Sequence, residues 1–163
     1  HALNEYELKG VLAHEIGHIK NRDTLIQCMA ASIAGAITMM AGMARWALIF
    51  GGGRSDDDDS PLAMLLMIIF APIAALLVQL AISRTREYQA DAAAARFTHN
   101  PLGLASALAK LESAAQQLPM RGSPATAHMF IVNPFRSGLI SSLFSTHPPI
   151  KERIRRLQEM RSY

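Results

Sequence analysis

A pair of long uncharged runs constrains the fold of this chain more than any other feature. Leu25 to Ala44 is twenty residues without a charge, and Pro61 to Ser83 is twenty-three. At about 1.5 Å per residue, twenty helical residues span about 30 Å, the thickness of a bilayer's hydrocarbon core. Between the runs, Gly51-Gly52-Gly53-Arg54-Ser55 breaks the helical pattern, and Asp56 to Asp59 adds a block of like charge that repels itself and stays solvated. These four carboxylates lack the alternating spacing of a calcium loop. The pattern predicts two membrane spans, about 25–46 and 61–83, joined by a polar loop over 51–60, with Pro72 as a kink in the second. The alternative is a pair of helices buried in a large soluble core. Composition favours the bilayer, since half of the 163 residues are hydrophobic and only 18% are charged.

Two crossings return the chain to the side it left, so residues on either flank can complete one site. Of the sixteen Lys and Arg, only Arg45 and Arg54 lie near the acidic loop. By the positive-inside rule, the flanks are then cytoplasmic. A net charge of +3 suits a membrane surface, and no basic run interleaved with aromatics points to nucleic acid. Cys28 is the single cysteine, which excludes an internal disulfide. The chain opens on His1 and reads as the C-terminal portion of something longer.

The chemistry is concentrated in His14-Glu15-Ile16-Gly17-His18. The motif sits in an amphipathic run from Glu5 to Lys20, opened by an Asn4/Glu7 capping box ahead of Leu8, Val11 and Leu12. Residues four apart share a helix face, so the two imidazoles can close on one metal ion. Glu15 lies about 100° round the helix from His14, too far to join them as a ligand and well placed to act as general base on a water that the metal activates. Lys20, Asn21, Arg22 and Asp23 read as a polar collar before the first span.

A catalytic zinc site takes three protein ligands and leaves a fourth position open. Past the second span comes a basic collar, Ser83-Arg84-Thr85-Arg86, and then Glu87-Tyr88-Gln89-Ala90-Asp91 opens an alanine-rich helical run to Phe97. Glu87 is the natural third ligand. Asp91, one turn on and on the same face, can accept a hydrogen bond from the distal nitrogen of a ligand histidine. The bland alternative is that both acids pair with Arg84 or Arg86 on a wet surface.

In their order along the chain, the capping box, His14-Glu15-Ile16-Gly17-His18, Asn21-Arg22-Asp23, the hairpin, and then Ser83-Arg84 with Glu87 and Asp91 resemble HtpX-type membrane zinc peptidases. More loosely they are similar to the prenyl-protein processing proteases of eukaryotes. The resemblance implies a mainly α fold with little β, in which zincin-like metalloprotease helices carry a two-helix transmembrane hairpin inserted between the zinc-binding motifs. It also implies one zinc ion and a gluzincin-like site at the cytoplasmic face of a bacterial inner membrane. Its substrates would be polypeptides, above all misfolded or damaged membrane proteins. Family members carry two further hydrophobic segments and a substrate-binding edge strand upstream of the metal-binding helix.

Downstream, Asn100 and Pro101 start a helix whose Leu104, Leu108 and Leu111 form a buried face as far as Leu118. His99 reads as a surface or capping residue. Pro119 to Ser145 is irregular, with Met129 to Val132 as a short strand or an apolar contact, and His128 has no partner at a recognisable spacing. A last helix begins at Pro148, with Ile150, Ile154 and Leu157 inward and Lys151, Arg153, Arg155 and Arg156 toward water or lipid headgroups. On residue type alone, His147 in Ser145-Thr146-His147-Pro148 is a cap. The resemblance instead makes it a donor to the developing oxyanion, with Arg153 supporting the site. The chain thus divides into a metal-binding helix (1–23), a hairpin (24–83) and a cytoplasmic helical part (84–163). Two rival readings are a site-two-type protease with zinc inside the bilayer, and a non-catalytic adaptor whose metal is structural and closed by a fourth ligand.

Overall fold

The computed structural model describes residues 3–50, 61–117 and 147–160. Five helices account for nearly all of them: α1 Glu5–Lys20, α2 Asp23–Phe50, α3 Pro61–Thr98, α4 Pro101–Gln117 and α5 Ile150–Glu159. No strand occurs among the described residues. The acidic loop, His128 and the Met129 to Val132 segment lie outside them.

The chain divides into two compact units, one of His1–Thr24 with Ser83–Tyr163 and the other of Leu25–Ile82. In the first, α1 begins where the capping box requires: Glu7 N donates to Asn4 Oδ1 at 2.9 Å and Asn4 N to Glu7 Oε2 at 2.8 Å. The helix stops at Asn21, whose N–H returns to Gly17 O, and Arg22 follows at φ 53°. Its inward face carries the small residues Gly10, Ala13 and Gly17 alongside the buried Glu7 and His14. A Cβ added at Gly10 would sit 2.7 Å from the backbone nitrogen of Leu104, and one at Gly103 would sit 2.8 Å from the carbonyl of Tyr6, so α1 and α4 pack backbone to backbone. Gly17 also brings α1 close to α3, where an added Cβ would lie 3.1 Å from Ala90 O. The alanine-rich run on α3 therefore lets its acids reach the histidines of α1.

Ala13, Ala94, Leu104, Ala105, Leu108 and Leu157 form the core, with Ile150, Ile154 and Met160 packed against it. Burying each leucine contributes about 1.5–3 kcal/mol. Glu7 serves twice, because the carboxylate that caps α1 also accepts Ser106 Oγ at 2.6 Å and Lys110 Nζ at 2.8 Å from α4.

In the second unit most large apolar side chains are exposed, Leu80 being a buried exception. Leu25, Met29, Ile33, Met39 and Met43 of α2, and Leu62, Met67, Phe70, Ile73 and Val78 of α3, are exposed. Both helices are long and apolar enough to cross a membrane, and almost none of either apolar stretch is buried, unlike core helices of a soluble protein. Their hydroxyls are satisfied within the helix: Ser32 Oγ donates to Cys28 O and Thr38 Oγ1 to Ala34 O, each at 2.8 Å.

Three boundaries differ from the sequence-based expectation. Helix α2 continues to Phe50 instead of ending near 46, because no Gly or Pro stops it before Gly51. The second span and the run carrying Glu87 form one helix of 38 residues, since Ser83-Arg84-Thr85-Arg86 holds no breaker and Pro72 lies within α3 without ending it. Helix α5 starts at Ile150, after Pro148 and Pro149.

Candidate metal centre

Helix α1 presents His14 and His18 one turn apart, and α3 presents Glu87 opposite them. The nitrogens His14 Nε2 and His18 Nε2 are 3.1 Å apart. Glu87 Oε2 lies 3.7 Å from the first and Oε1 3.6 Å from the second. Ligand atoms about 2.0–2.2 Å from a zinc ion at the corners of a tetrahedron are about 3.3–3.6 Å apart; each imidazole faces its own Glu87 oxygen near that spacing, and one ligand atom from each of the three residues lies within 4.8 Å of the others. His14, His18 and Glu87 could therefore hold a metal ion.

The far side of each ring strengthens the fit. His14 Nδ1 lies 3.0 Å from Asp91 Oδ1, and His18 Nδ1 lies 2.7 Å from Asp23 Oδ2. A carboxylate only accepts, so the His18–Asp23 hydrogen bond assigns that ring's proton to Nδ1 and leaves its Nε2 as a lone pair, while Asp91, at ion-pair distance from His14 Nδ1 without hydrogen-bond geometry, favours a proton on the same side of the His14 ring. Two lone pairs and a carboxylate then converge on one point, an arrangement that a cation stabilises.

Each aspartate is held in turn by an arginine. Arg153 of α5 grips Asp91 with two bonds, Nε to Oδ2 at 2.8 Å and Nη2 to Oδ1 at 2.7 Å, and its Nη1 is 3.2 Å from Glu87 Oε2. Arg86 of α3 donates to Asp23 and, through Nη2, to Asn21 O at 3.2 Å. His147 places Nδ1 3.4 Å from Glu87 Oε1. Glu15 is exposed on α1, on the rim of a stripe of exposed apolar residues, Leu8, Leu12, Ile16 and Ile19.

Burial pushes the Glu87 carboxyl up, but His147, Arg153 and His14 outweigh it and hold the group below its ordinary value. For Asp91, burial is likewise outweighed by His14 and Arg153. Both groups lie on α3 beyond its apolar part, and both are ionised at neutral pH, as a ligand and an acceptor must be.

Glu87 and Asp91 are buried and share the guanidinium of Arg153, which disposes of the wet-surface alternative. Helix periodicity points Arg153 to water or headgroups, yet it is completely buried, beside Glu87 and Asp91 as the resemblance implies. The apolar stripe of α5 is narrow at 150, 154 and 157, and position 153 falls inside it when two acids wait there. Asp23 and Arg86 were expected to be collar residues. The available signal was an acid one turn beyond His18, across the Asn21-Arg22 bend.

The family model for Peptidase family M48 matches residues 1–161. The chain belongs to this family. Similar relatives are each named Protease HtpX homolog. The protein from Syntrophotalea carbinolica is 60% identical over 161 residues, covering 97% of this chain and 58% of the relative. The one from Desulfatibacillum aliphaticivorans is 57% identical, covering 95% of this chain and 51% of the relative. The one from Pyrococcus abyssi is 56% identical, covering 98% and 56%. The chain thus spans somewhat more than half the length of the curated relatives it matches. No solved structure matches it. M48 peptidases use zinc, and the donor set of two imidazoles and a carboxylate fits that ion.

Proposed function

We propose that this M48 chain carries the catalytic half of a membrane-embedded zinc endopeptidase that cleaves misfolded or damaged membrane proteins at the cytoplasmic face of the inner membrane. The observation that carries this reading is the convergence of His14 Nε2, His18 Nε2 and Glu87 within 4.8 Å, with each imidazole backed by an aspartate. The three donors come from two helices, and among the described residues no fourth donor joins them, which supports a catalytic site over a structural metal. The polar residues directly after His18 support a site outside the apolar run, against the site-two-type rival.

Zinc held by His14, His18 and Glu87 would supply a Lewis acid and lower the pKa of a water molecule. Glu15 takes the proton from the attacking water and passes it to the leaving amine. His147, whose Nδ1 lies 3.4 Å from Glu87 Oε1, donates to the substrate carbonyl oxygen as negative charge develops there. Asp91 and Arg153 hold His14 and Glu87 in place for the reaction. The clustering of basic residues on the metal-bearing flanks supports the cytoplasmic orientation.

The test is casein digestion by the full-length protein in detergent, with chelation and zinc rescue. Glu15→Gln should retain zinc and lose hydrolysis, and unchanged turnover would reject its role as base. Glu87→Ala should lose metal, and full zinc occupancy by elemental analysis would reject ligation.

A further inference from the structure

The two aspartates behind the histidines occupy different places in the chain. Asp91 lies in the interior of the metal-bearing unit, whereas Asp23 is the first residue of α2 and Arg86 lies just past the apolar part of α3. Thr24 and Ser83 mark where the chain leaves this unit for the hairpin and returns from it. The pair that orients His18 is therefore also a clasp across the two roots of the hairpin.

Its geometry leaves little freedom. Asp23 is 1% exposed; its Oδ2 faces His18 Nδ1 at 2.7 Å while its Oδ1 accepts from Arg86. Arg86 also reaches Asn21 O at 3.2 Å, so the guanidinium spans the turn between α1 and α2 as well as the acid. If the roots part, Asp23 either follows Arg86 and releases the imidazole or stays with the imidazole as a buried carboxylate without its cation, which is costly. Carboxylates behind a metal-ligating histidine typically account for 10–100-fold in metal affinity.

We propose that Asp23 and Arg86 are positioning residues that couple metal retention to closure of the hairpin roots. A held clasp fixes His18 for the metal, and bound metal in turn holds the clasp shut, with the same coupling factor in both directions. The proposal rests on His18 being a zinc ligand.

The test uses the full-length protein in nanodiscs, with zinc alone as the probe. Zinc affinity is read by competition with a chelator, ligand geometry by the visible spectrum of the cobalt-loaded protein, and root closure by hydrogen exchange over 21–28 and 83–88 with and without zinc. Asp23→Asn keeps the size of the side chain and one acceptor but turns an amide toward Arg86. Once circular dichroism shows its helices intact, it should bind zinc about 10-fold or more weakly. Its cobalt bands should also shift, and the zinc-dependent slowing of exchange at the roots should disappear. Arg86→Lys, which keeps the cation, should restore part of the loss seen in Arg86→Gln. Wild-type affinity, spectrum and exchange in Asp23→Asn, alongside lost zinc in His18→Ala, would overturn the clasp and leave the zinc site standing. Wild-type zinc binding in His18→Ala would overturn both.

Discussion

Arg153 shows how much one buried side chain can carry. It is fully enclosed, it neutralises the two acids that flank His14, and it comes from the last described helix. Removing one partner from a buried ionic cluster typically costs about 3–5 kcal/mol, because the remaining charges are left unpaired. Arg153→Ala should therefore lower the melting temperature of the full-length protein sharply and weaken zinc retention together. Arg155→Ala on the same helix should do neither, since its pairs with Glu152 and Glu159 lie on the exposed side. Thermal melting and elemental analysis on the two variants check the contrast.

Helix packing depends on where glycine is required. Gly10→Ala would drive a methyl group to 2.7 Å from the Leu104 backbone, so α1 and α4 must separate, at a cost of about 1–3 kcal/mol. Gly35→Ala meets nothing within 4 Å and should be neutral or slightly stabilising, since alanine is favoured over glycine in a helix by about 1 kcal/mol. Leu157 anchors α5 in the core, and Leu157→Ala should cost about 2–5 kcal/mol. Because Arg153 sits one turn away, the same substitution should also weaken the metal site. Comparing the three variants by thermal melting tests the close approach and the anchor separately.

Across the whole molecule, stability should depend on acid and on metal. Hydrogen bonds from Lys110, Ser106 and the Asn4 backbone lower the Glu7 carboxyl from 4.5 to about 2. A group depressed on folding stabilises the native state fully above its unfolded value and loses that contribution as pH falls through its folded value. The loss should run from pH 4.5 down to about 2, and Glu7→Gln should flatten that limb of the stability profile. Zinc should raise the melting temperature and chelation lower it, because the ligand set is assembled only in the folded chain. Acid titration and calorimetry with and without chelator measure the two effects.

Periodicity and spacing were enough to find the two apolar helices, the pair of imidazoles on one face of α1, and the acids one turn apart on α3. Each of these is a local property: 3.6 residues per turn and the length of an uncharged run do not depend on what packs nearby. Residue type alone made His147 a cap, and only the resemblance moved it toward the site, where it lies beside Glu87. The fate of the charged residues was a tertiary matter. Arg153 lies buried because Glu87 and Asp91, more than sixty positions away in sequence, need its cation. Asp23 left the collar for the site because Arg86 returns beside it after the full length of the hairpin. A buried charge is tolerable only with a partner, and partners so distant in sequence are chosen by the packing of α1, α3 and α5.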